Sequence, residues 1–207
     1  MSHPHNEKLV TRLGAREYFQ EVVQSALANQ QFHASDESVV YLVNLLVNFL
    51  RSENLFDKTP DGLMIKPLAV LYEEALAANS SKGRVRALQR LGDLALFISG
   101  LFANSLGRCL VDVDYYISMG GNAYASLAVS NRLPVHSQAL KIVFDELSEK
   151  FSGYVGILAE VGEESQLSSN TDIMRLYEIW QCTGSKRIAN RLQDLGIQPV
   201  KICRTRH

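Results

Sequence analysis

Apolar residues recur every three or four positions along most of the chain, the spacing that places them on one face of an α-helix. Short polar stretches with glycine, serine or asparagine interrupt the pattern, and all five prolines fall outside helix interiors. The predicted helices cover approximately residues 16–29, 35–51, 67–79, 83–107, 112–131, 137–164, 172–182 and 185–195. The sequence therefore predicts an all-α, single-domain multi-helix bundle of about eight helices.

The helical domain is expected over residues 16–195, with a flexible tail over 1–15 and a basic tail over 196–207. The formal net charge of the chain is −1. This charge is unevenly spread, because residues 184–207 carry +5 and the rest of the chain carries −6. The asymmetry suggests an anionic partner for the C-terminal segment.

Two places in the chain break the helical pattern. Pro60 and Gly62 belong to a turn signal, so residues 55–65 are expected to form either a packed loop or a small hairpin. Gly153 and Gly156 lie inside the segment 137–164, and glycine is unfavourable in a helix interior. We expect a kink or a close helix crossing at these glycines.

The segment Gly83–Asn131 reads as a central pair of apolar helices rich in glycine and alanine. Asp93 lies on the first of these helices, nearly opposite the centre of its apolar face and one turn from Arg90. The pattern favours an exposed Arg90–Asp93 ion pair over a buried functional aspartate.

On the second helix of the pair, Gly120 and Gly121 face inward together with Tyr124. A stripe of small residues on the first helix, Gly92, Ala95, Ser99 and Ala103, could accept this glycine face in a close crossing. The alternative is a space for a ligand. The candidate ligand-binding residues are then Asp93, Tyr115, Tyr116, Gly120, Gly121 and Tyr124.

The sequence carries no signature of catalysis. Asp112 and Asp114 have the chemistry of cation ligands, but further ligands are missing nearby and helix capping is favoured. The Glu-x-x-His motifs of di-iron bundles, the phosphate-binding loops and the nucleophile elbow are absent. No catalytic residue, metal or cofactor is therefore predicted, and the chain is expected to be non-enzymatic.

Basic residues form two clusters, one at the start of the fourth helix and one in the C-terminal helix. Cations at a helix N-terminus oppose the helix dipole, so the first cluster is either an anion site or a solvated surface. The candidate anion-binding residues are Arg84, Arg86, Arg90, Lys186, Arg187 and Arg191.

The compartment is inferred from the cysteines and from hydropathy. Cys109, Cys182 and Cys203 are odd in number and show no CxxC spacing, as is typical of a reducing, cytoplasmic setting. The most apolar run, Val39–Leu50, is far shorter than the roughly 20 residues of a membrane span. No membrane association is expected.

Three segments, LGDLALFISGLF, VDVDYYISMGGNAY and RLYEIWQCTGSKRIANRLQDLGIQP, resemble those of a family of bacterial all-helical proteins without an assigned function. The resemblance extends over roughly the C-terminal two thirds of the chain. It implies a cytoplasmic bacterial protein and assigns no site residue or cofactor.

Three functions are compatible with these patterns. The favoured one is protein–protein interaction or regulation, including self-association through an apolar helix face. The second is binding of a small ligand, or an enzyme activity, at the central helix pair. The third is nucleic-acid association through the basic residues of 82–90 and 186–206, which a strong dependence on salt would reveal.

Overall fold

The computed structural model of the protein describes residues 4–50, 52–59, 62–101, 113–130, 138–165, 176–177, 180 and 184–197. The helices in these ranges are α1 (Pro4–Asn29), α2 (Asp36–Phe49), α3 (Ser52–Leu55), α4 (Leu68–Ala77), α5 (Ser81–Leu101), α6 (Val113–Ala128), α7 (Gln138–Glu149), α8 (Phe151–Ser165) and α9 (Lys186–Asp194). A two-stranded hairpin, β1 (Asp57–Thr59) and β2 (Gly62–Met64), separates α3 from α4. The predicted all-α, multi-helix class is confirmed.

Helix α5 lies at the centre of the fold, because it packs against α4, α6 and α8. The residues from Leu94 to Gly100 are all buried. Successive residues of a helix point about 100° apart, so such a run covers every side of α5. The hydrophobic core is therefore built around this helix, and α6 and α7 extend it on one flank.

The N-terminal helices confirm one predicted boundary and revise another. Helix α1 begins at Pro4, whereas the first helix was predicted to begin at Arg16. Proline fits the first turn of a helix, because its missing N–H has no partner there in any case. Helix α2 begins as predicted, since the Ser35 side chain accepts a hydrogen bond from the backbone N–H of Ser38 at 3.2 Å.

Of the two structures expected for residues 55–65, the hairpin is the one observed. Asp57 pairs with Met64 and Thr59 with Gly62 in antiparallel register. The flanking side chains of Phe56 and Ile65 are 3% and 8% exposed, so the core anchors the hairpin at both ends.

The single helix predicted over 137–164 is wrong, because the structure divides it into α7 and α8 at Lys150. The close contact at Gly153 is not the predicted helix crossing, because it is made by a residue of the loop after α1. A Cβ added at this glycine would lie 2.1 Å from the ring of Phe32, which follows α1. The absence of a side chain at position 153 thus lets the chain after α1 pack tightly on α8.

The last helix, α9, ends just before Gly196, as the preference of glycine for helix C-termini predicts. Gly196 has a φ of 77°, and the backbone N–H of Ile197 donates to the carbonyl oxygen of Leu192 at 2.9 Å. The turn predicted near Gly107 lies outside the described residues, as does most of the helix predicted over 172–182.

Candidate functional site

The interface between α5 and α6 is where the sequence allowed either close packing or a ligand space. A Cβ added at Gly120 would lie 2.8 Å from the Cβ of Ala95 and 2.4 Å from the ring of Phe151. A Cβ at Gly92 would lie 2.6 Å from the ring of Tyr124, which is fully buried. The glycines therefore serve a close crossing, and the Tyr124 ring occupies the space beside them.

Asp93 is the centre of a polar cluster that joins three helices. Its Oδ1 accepts a hydrogen bond from the hydroxyl of Tyr41 on α2 at 2.5 Å and from the hydroxyl of Tyr124 on α6 at 2.8 Å. The side-chain amide of Gln89 donates to the Tyr41 hydroxyl at 3.1 Å. Two donors on one carboxylate oxygen tie α2, α5 and α6 together.

Aromatic rings hold the two tyrosines of this cluster in place. The Tyr124 ring stacks on Phe144 of α7 with centroids 5.6 Å apart, and the Tyr41 ring meets Phe144 edge to face at 5.7 Å. Packing between residues of four helices thereby directs the two hydroxyl groups at Asp93.

The electrostatics of the cluster follow from its burial. Desolvation raises the pKa of Asp93 to about 6, although the two tyrosine hydroxyls and the charge of Arg90 act in the opposite direction. Desolvation and the neighbouring carboxylate raise the pKa of Tyr41 and of Tyr124 well above the ordinary value. The tyrosines therefore remain protonated donors, while Asp93 exchanges its proton close to neutral pH.

The exposed Arg90–Asp93 pair expected from the sequence is wrong. The guanidinium of Arg90 donates to the backbone carbonyl oxygen of Asn54 and, at 3.1 Å, to that of Leu55. It also lies over the ring of Phe49, 5.3 Å from its centroid. Arg90 therefore secures the C-terminal end of α3, and Asp93 turns toward the tyrosines instead.

The other tyrosines predicted for a ligand site do not join Asp93. Tyr115 and Tyr116 are partly buried and contact each other edge to face, with ring centroids 5.6 Å apart. A Cβ added at Gly121 would meet Ser148 and Phe151 only at ordinary contact distances of 3.8 Å and more. The structure thus unites two of the six predicted ligand residues, Asp93 and Tyr124, and adds Tyr41, which the sequence analysis missed.

The predicted anion-binding residues occupy different positions. Arg84 is partly buried and Arg86 is exposed near the start of α5. Lys186, Arg187 and Arg191 are exposed on α9. Arg90 lines the same surface pocket as Arg86, but its guanidinium is held by carbonyl oxygens. Asp112 lies outside the described residues, and Asp114 is exposed in the first turn of α6.

A second polar cluster, around Glu146 of α7, was also missed. Its carboxylate accepts hydrogen bonds from the hydroxyls of Ser35 and Ser38 at 2.5 and 2.7 Å, from the Ser35 N–H at 3.2 Å, and from Lys150 at 3.0 Å. Burial alone would raise the pKa of Glu146, but these hydrogen bonds outweigh it and lower the pKa to about 2. Glu146 thereby attaches α7 to the N-terminal end of α2.

An apolar groove, which we call the α4–α6 groove, runs across the surface of α5. Its larger section has a volume of about 600 Å³, and a smaller section of about 240 Å³ adjoins it at Leu88 and Ser126. The groove is lined by Tyr72, Leu88, Met119, Asn122, Ala123, Ala125, Ser126 and Val129, and the smaller section by Arg84, Val85 and Ser130 in addition.

The walls and the floor of this groove differ in exposure. Leu88 and Ala123 on the floor are 5% and 3% exposed. Tyr72 on one wall is 46% exposed, and Val129 on the other is 80% exposed. Leu76, one turn after Tyr72 on α4, is 57% exposed. Large apolar side chains are thus concentrated along the rim of a concave surface.

A smaller groove of about 350 Å³ lies between α2 and α7. Val40 and Leu140 line it with 50% and 37% exposure, and Asp36 and Glu37 make one end acidic. Tyr41 also lines this groove, which connects its surface to the Asp93 cluster.

The described part of the chain holds neither a cluster of metal-ligating side chains nor a membrane-spanning helix. No group of three or more His, Cys, Asp or Glu side chains there is arranged to hold a metal ion. Among the same residues, no helix combines the length and the apolar character that a membrane crossing requires. In comparisons with known proteins, no family model, no curated protein and no solved structure matches the chain.

Proposed function

We propose that the protein acts by binding a partner protein, an amphipathic helix of which lies in the α4–α6 groove. The observation that carries this proposal is the exposure of Tyr72 and Val129 on the walls of a groove of about 600 Å³, with exposed Leu76 one turn further along α4. Single exposed apolar residues are ordinary, but a cluster of them around a concave surface is typical of an interaction site.

The dimensions of the groove favour a helical occupant. The residues that line it from this side run from Met119 on α6 to Val129, which directly follows α6, and they span about 15 Å along the helix axis. A bound helix of about ten residues would match this length, with apolar anchors at positions i, i+3 or i+4, and i+7. Tyr72 and Val129, on opposite walls, would contact these anchors.

The charge at one end of the groove favours an acidic partner. Arg84 lines the smaller section next to Ser130, and it forms no ion pair with another described residue. An Asp or Glu of the partner helix at this end would pair with Arg84, which sets the direction of the helix in the groove.

The Asp93 cluster supports this function indirectly. Its hydroxyl donors are directed at a carboxylate of the same chain, as in a cluster that fixes the relative positions of helices. By holding α6 against α5, the cluster would keep the two walls of the groove at a fixed separation.

We infer a cytoplasmic setting for this function from the cysteine pattern.

Site-specific photocrosslinking in the cells that produce the protein tests the proposal. A photoreactive residue at position 129 is expected to give one discrete adduct. The same residue at position 142 is the control, because Ile142 is 55% exposed on α7 and is not among the groove-lining residues. A synthetic peptide of the crosslinked partner segment should then bind the purified protein, and Arg84→Glu should weaken this binding at least tenfold.

Three results would contradict the proposal. Equal adduct yields from positions 129 and 142 would show that the groove has no preference for a partner. An adduct between two copies of this chain would show that the groove mediates self-association instead. If Arg84→Glu leaves peptide binding unchanged, no acidic residue of the partner pairs with Arg84, and the proposed direction of the partner helix is wrong.

A further inference from the structure

The smaller groove between α2 and α7, which we call the α2–α7 groove, combines apolar walls with a charged end. Val40 and Leu140 are 50% and 37% exposed there, and Val143, which also lines the groove, is 2% exposed. Among the described residues that line it, only Asp36 and Glu37 are charged. The groove is therefore apolar over most of its length and carries two negative charges at one end.

The two carboxylates are not neutralised within the described part of the chain. Both are exposed in the first turn of α2, and neither forms an ion pair with another described residue. The positive end of the helix dipole stabilises them, but it amounts to only about half an elementary charge. The groove therefore favours an occupant that has cationic side chains next to apolar ones.

The chain itself contains a segment with this composition, residues 198–207, which directly follows the last described residue. The segment has three Lys or Arg residues and no acidic residue. Side chains of an extended segment alternate between two sides. In an extended conformation one side would present Val200, Ile202, Arg204 and Arg206. Two apolar residues are thus followed by two cations, which matches the apolar walls and the acidic end of the groove.

The lengths of the groove and of the segment also agree. Asp36 and Asn44, at opposite ends of the groove, are eight residues apart on α2, or about 12 Å along the helix axis. An extended segment covers about 13 Å from Val200 to Arg204, at about 3.3 Å per residue. Arg204 would therefore reach the acidic end when Val200 lies beside Asn44.

We infer that residues 198–207 of a second copy of this chain occupy the α2–α7 groove. The apolar residues of the segment would contact the groove walls at Val40 and Leu140. Its two arginines would pair with the carboxylates of Asp36 and Glu37. A second copy is favoured as the source, because α9, which precedes the segment, is not among the described helices that pack closely on α2 or α7. The basic C-terminal segment of the sequence thereby gains an anionic partner.

This inference is independent of partner binding at the α4–α6 groove. The two grooves share none of their described lining residues. A segment in the α2–α7 groove contacts α2 and α7, whereas the proposed partner contacts α4 and α6. Either proposal can therefore be refuted without affecting the other.

Self-association of the full-length protein at low salt, measured by sedimentation velocity, tests the inference. Glu37→Arg and Arg204→Glu should each weaken self-association at least tenfold, because each places like charges opposite one another. An equimolar mixture of the two variants should recover the wild-type affinity to within about threefold, because every contact between unlike chains again joins opposite charges. Glu149→Arg is the control variant, because Glu149 is exposed on α7 but does not line the groove.

Three outcomes would overturn the inference. A wild-type protein that stays monomeric at millimolar concentrations would refute a second copy as the occupant. Loss of self-association in Val129→Asp but not in Glu37→Arg would locate the contact in the α4–α6 groove. A mixture of the two variants that does not recover affinity would show that positions 37 and 204 do not pair. Circular dichroism verifies the fold of each variant, and Arg204→Glu changes no residue of a described helix.

Discussion

Replacing Asp93 by asparagine isolates the contribution of one carboxyl group to the pH dependence of folding. Asparagine keeps a side-chain oxygen that can accept the hydrogen bonds from Tyr41 and Tyr124, but it does not ionise. The pKa of Asp93 is raised from 3.8 to about 6 in the folded protein. Asp93 therefore favours the folded state most strongly while it is protonated.

The raised pKa of Asp93 sets the sign and the size of its contribution to the free energy of unfolding. Stability associated with protonated Asp93 is fully present below pH 3.8 and is lost as the pH rises through about 6. A shift of about two pKa units corresponds to about 3 kcal/mol at 1.36 kcal/mol per unit. The expected difference is therefore about 2–3 kcal/mol.

Urea denaturation between about pH 3.5 and about pH 8 measures this difference, with far-ultraviolet circular dichroism and the fluorescence of the single tryptophan as probes. The free energy of unfolding of the wild type minus that of Asp93→Asn should fall by about 2–3 kcal/mol over this range. Asp145→Asn, at an exposed position of α7, is the control variant. A flat curve for Asp93→Asn, or one that rises with pH, would refute the account of the cluster.

Further predictions concern the second polar cluster and the α5–α6 crossing. Glu146→Gln should lower the free energy of unfolding by about 2 kcal/mol at pH 7. This loss should disappear as the pH falls from 4.5 through about 2, since the pKa of Glu146 is lowered on folding. Measurement of the free energy of unfolding as the pH is lowered tests this prediction, with Glu149→Gln as the exposed control. An equal loss of stability in the two variants would contradict the role of Glu146. Gly120→Ala should destabilise the protein by about 1–3 kcal/mol in thermal denaturation, because the new Cβ would overlap the Phe151 ring and Ala95. Gly121→Ala should be neutral or stabilising by up to about 1 kcal/mol, and a reversed order of the two alanine variants would refute the crossing.

The helices and the close crossing could be predicted because their determinants are local. The spacing of apolar residues, the Ser35 cap and the terminating Gly196 all lie within a few residues of the boundaries they set. Gly92 and Ala95 belong to a stripe of small residues on one helix face, and such a stripe signals close packing without knowledge of the partner.

The inward position of Asp93 could not be predicted from helical phase alone. A phase argument assumes that a helix has one outer face, whereas α5 is covered by α4, α6 and α8. The hydroxyl partners of Asp93 are 52 and 31 residues away in the chain. The nearly uninterrupted apolar run from Leu94 to Ile98 was the available signal, since it leaves little room for a solvated side directly after Asp93.

The Glu146 cluster and the groove depend on tertiary structure in the same way. Ser35 caps α2 within its own segment, but the carboxylate that completes the cap is 111 residues away. The walls of the α4–α6 groove come from two helices that both pack on α5. The apolar character of Tyr72 and Val129 does not reveal that they are exposed, and only the packing leaves them at the surface.

The affinity of the partner peptide for two aspartate variants tests the central claim most directly. Val129 is 80% exposed, so Val129→Asp places a charge on the groove wall without disturbing the core. Ile142→Asp introduces the same charge on α7, at a residue with 55% exposure. The account predicts that Val129→Asp weakens binding by at least about 30-fold, or about 2 kcal/mol, while Ile142→Asp changes it less than about twofold. Equal affinities of the two variants would contradict binding in the α4–α6 groove.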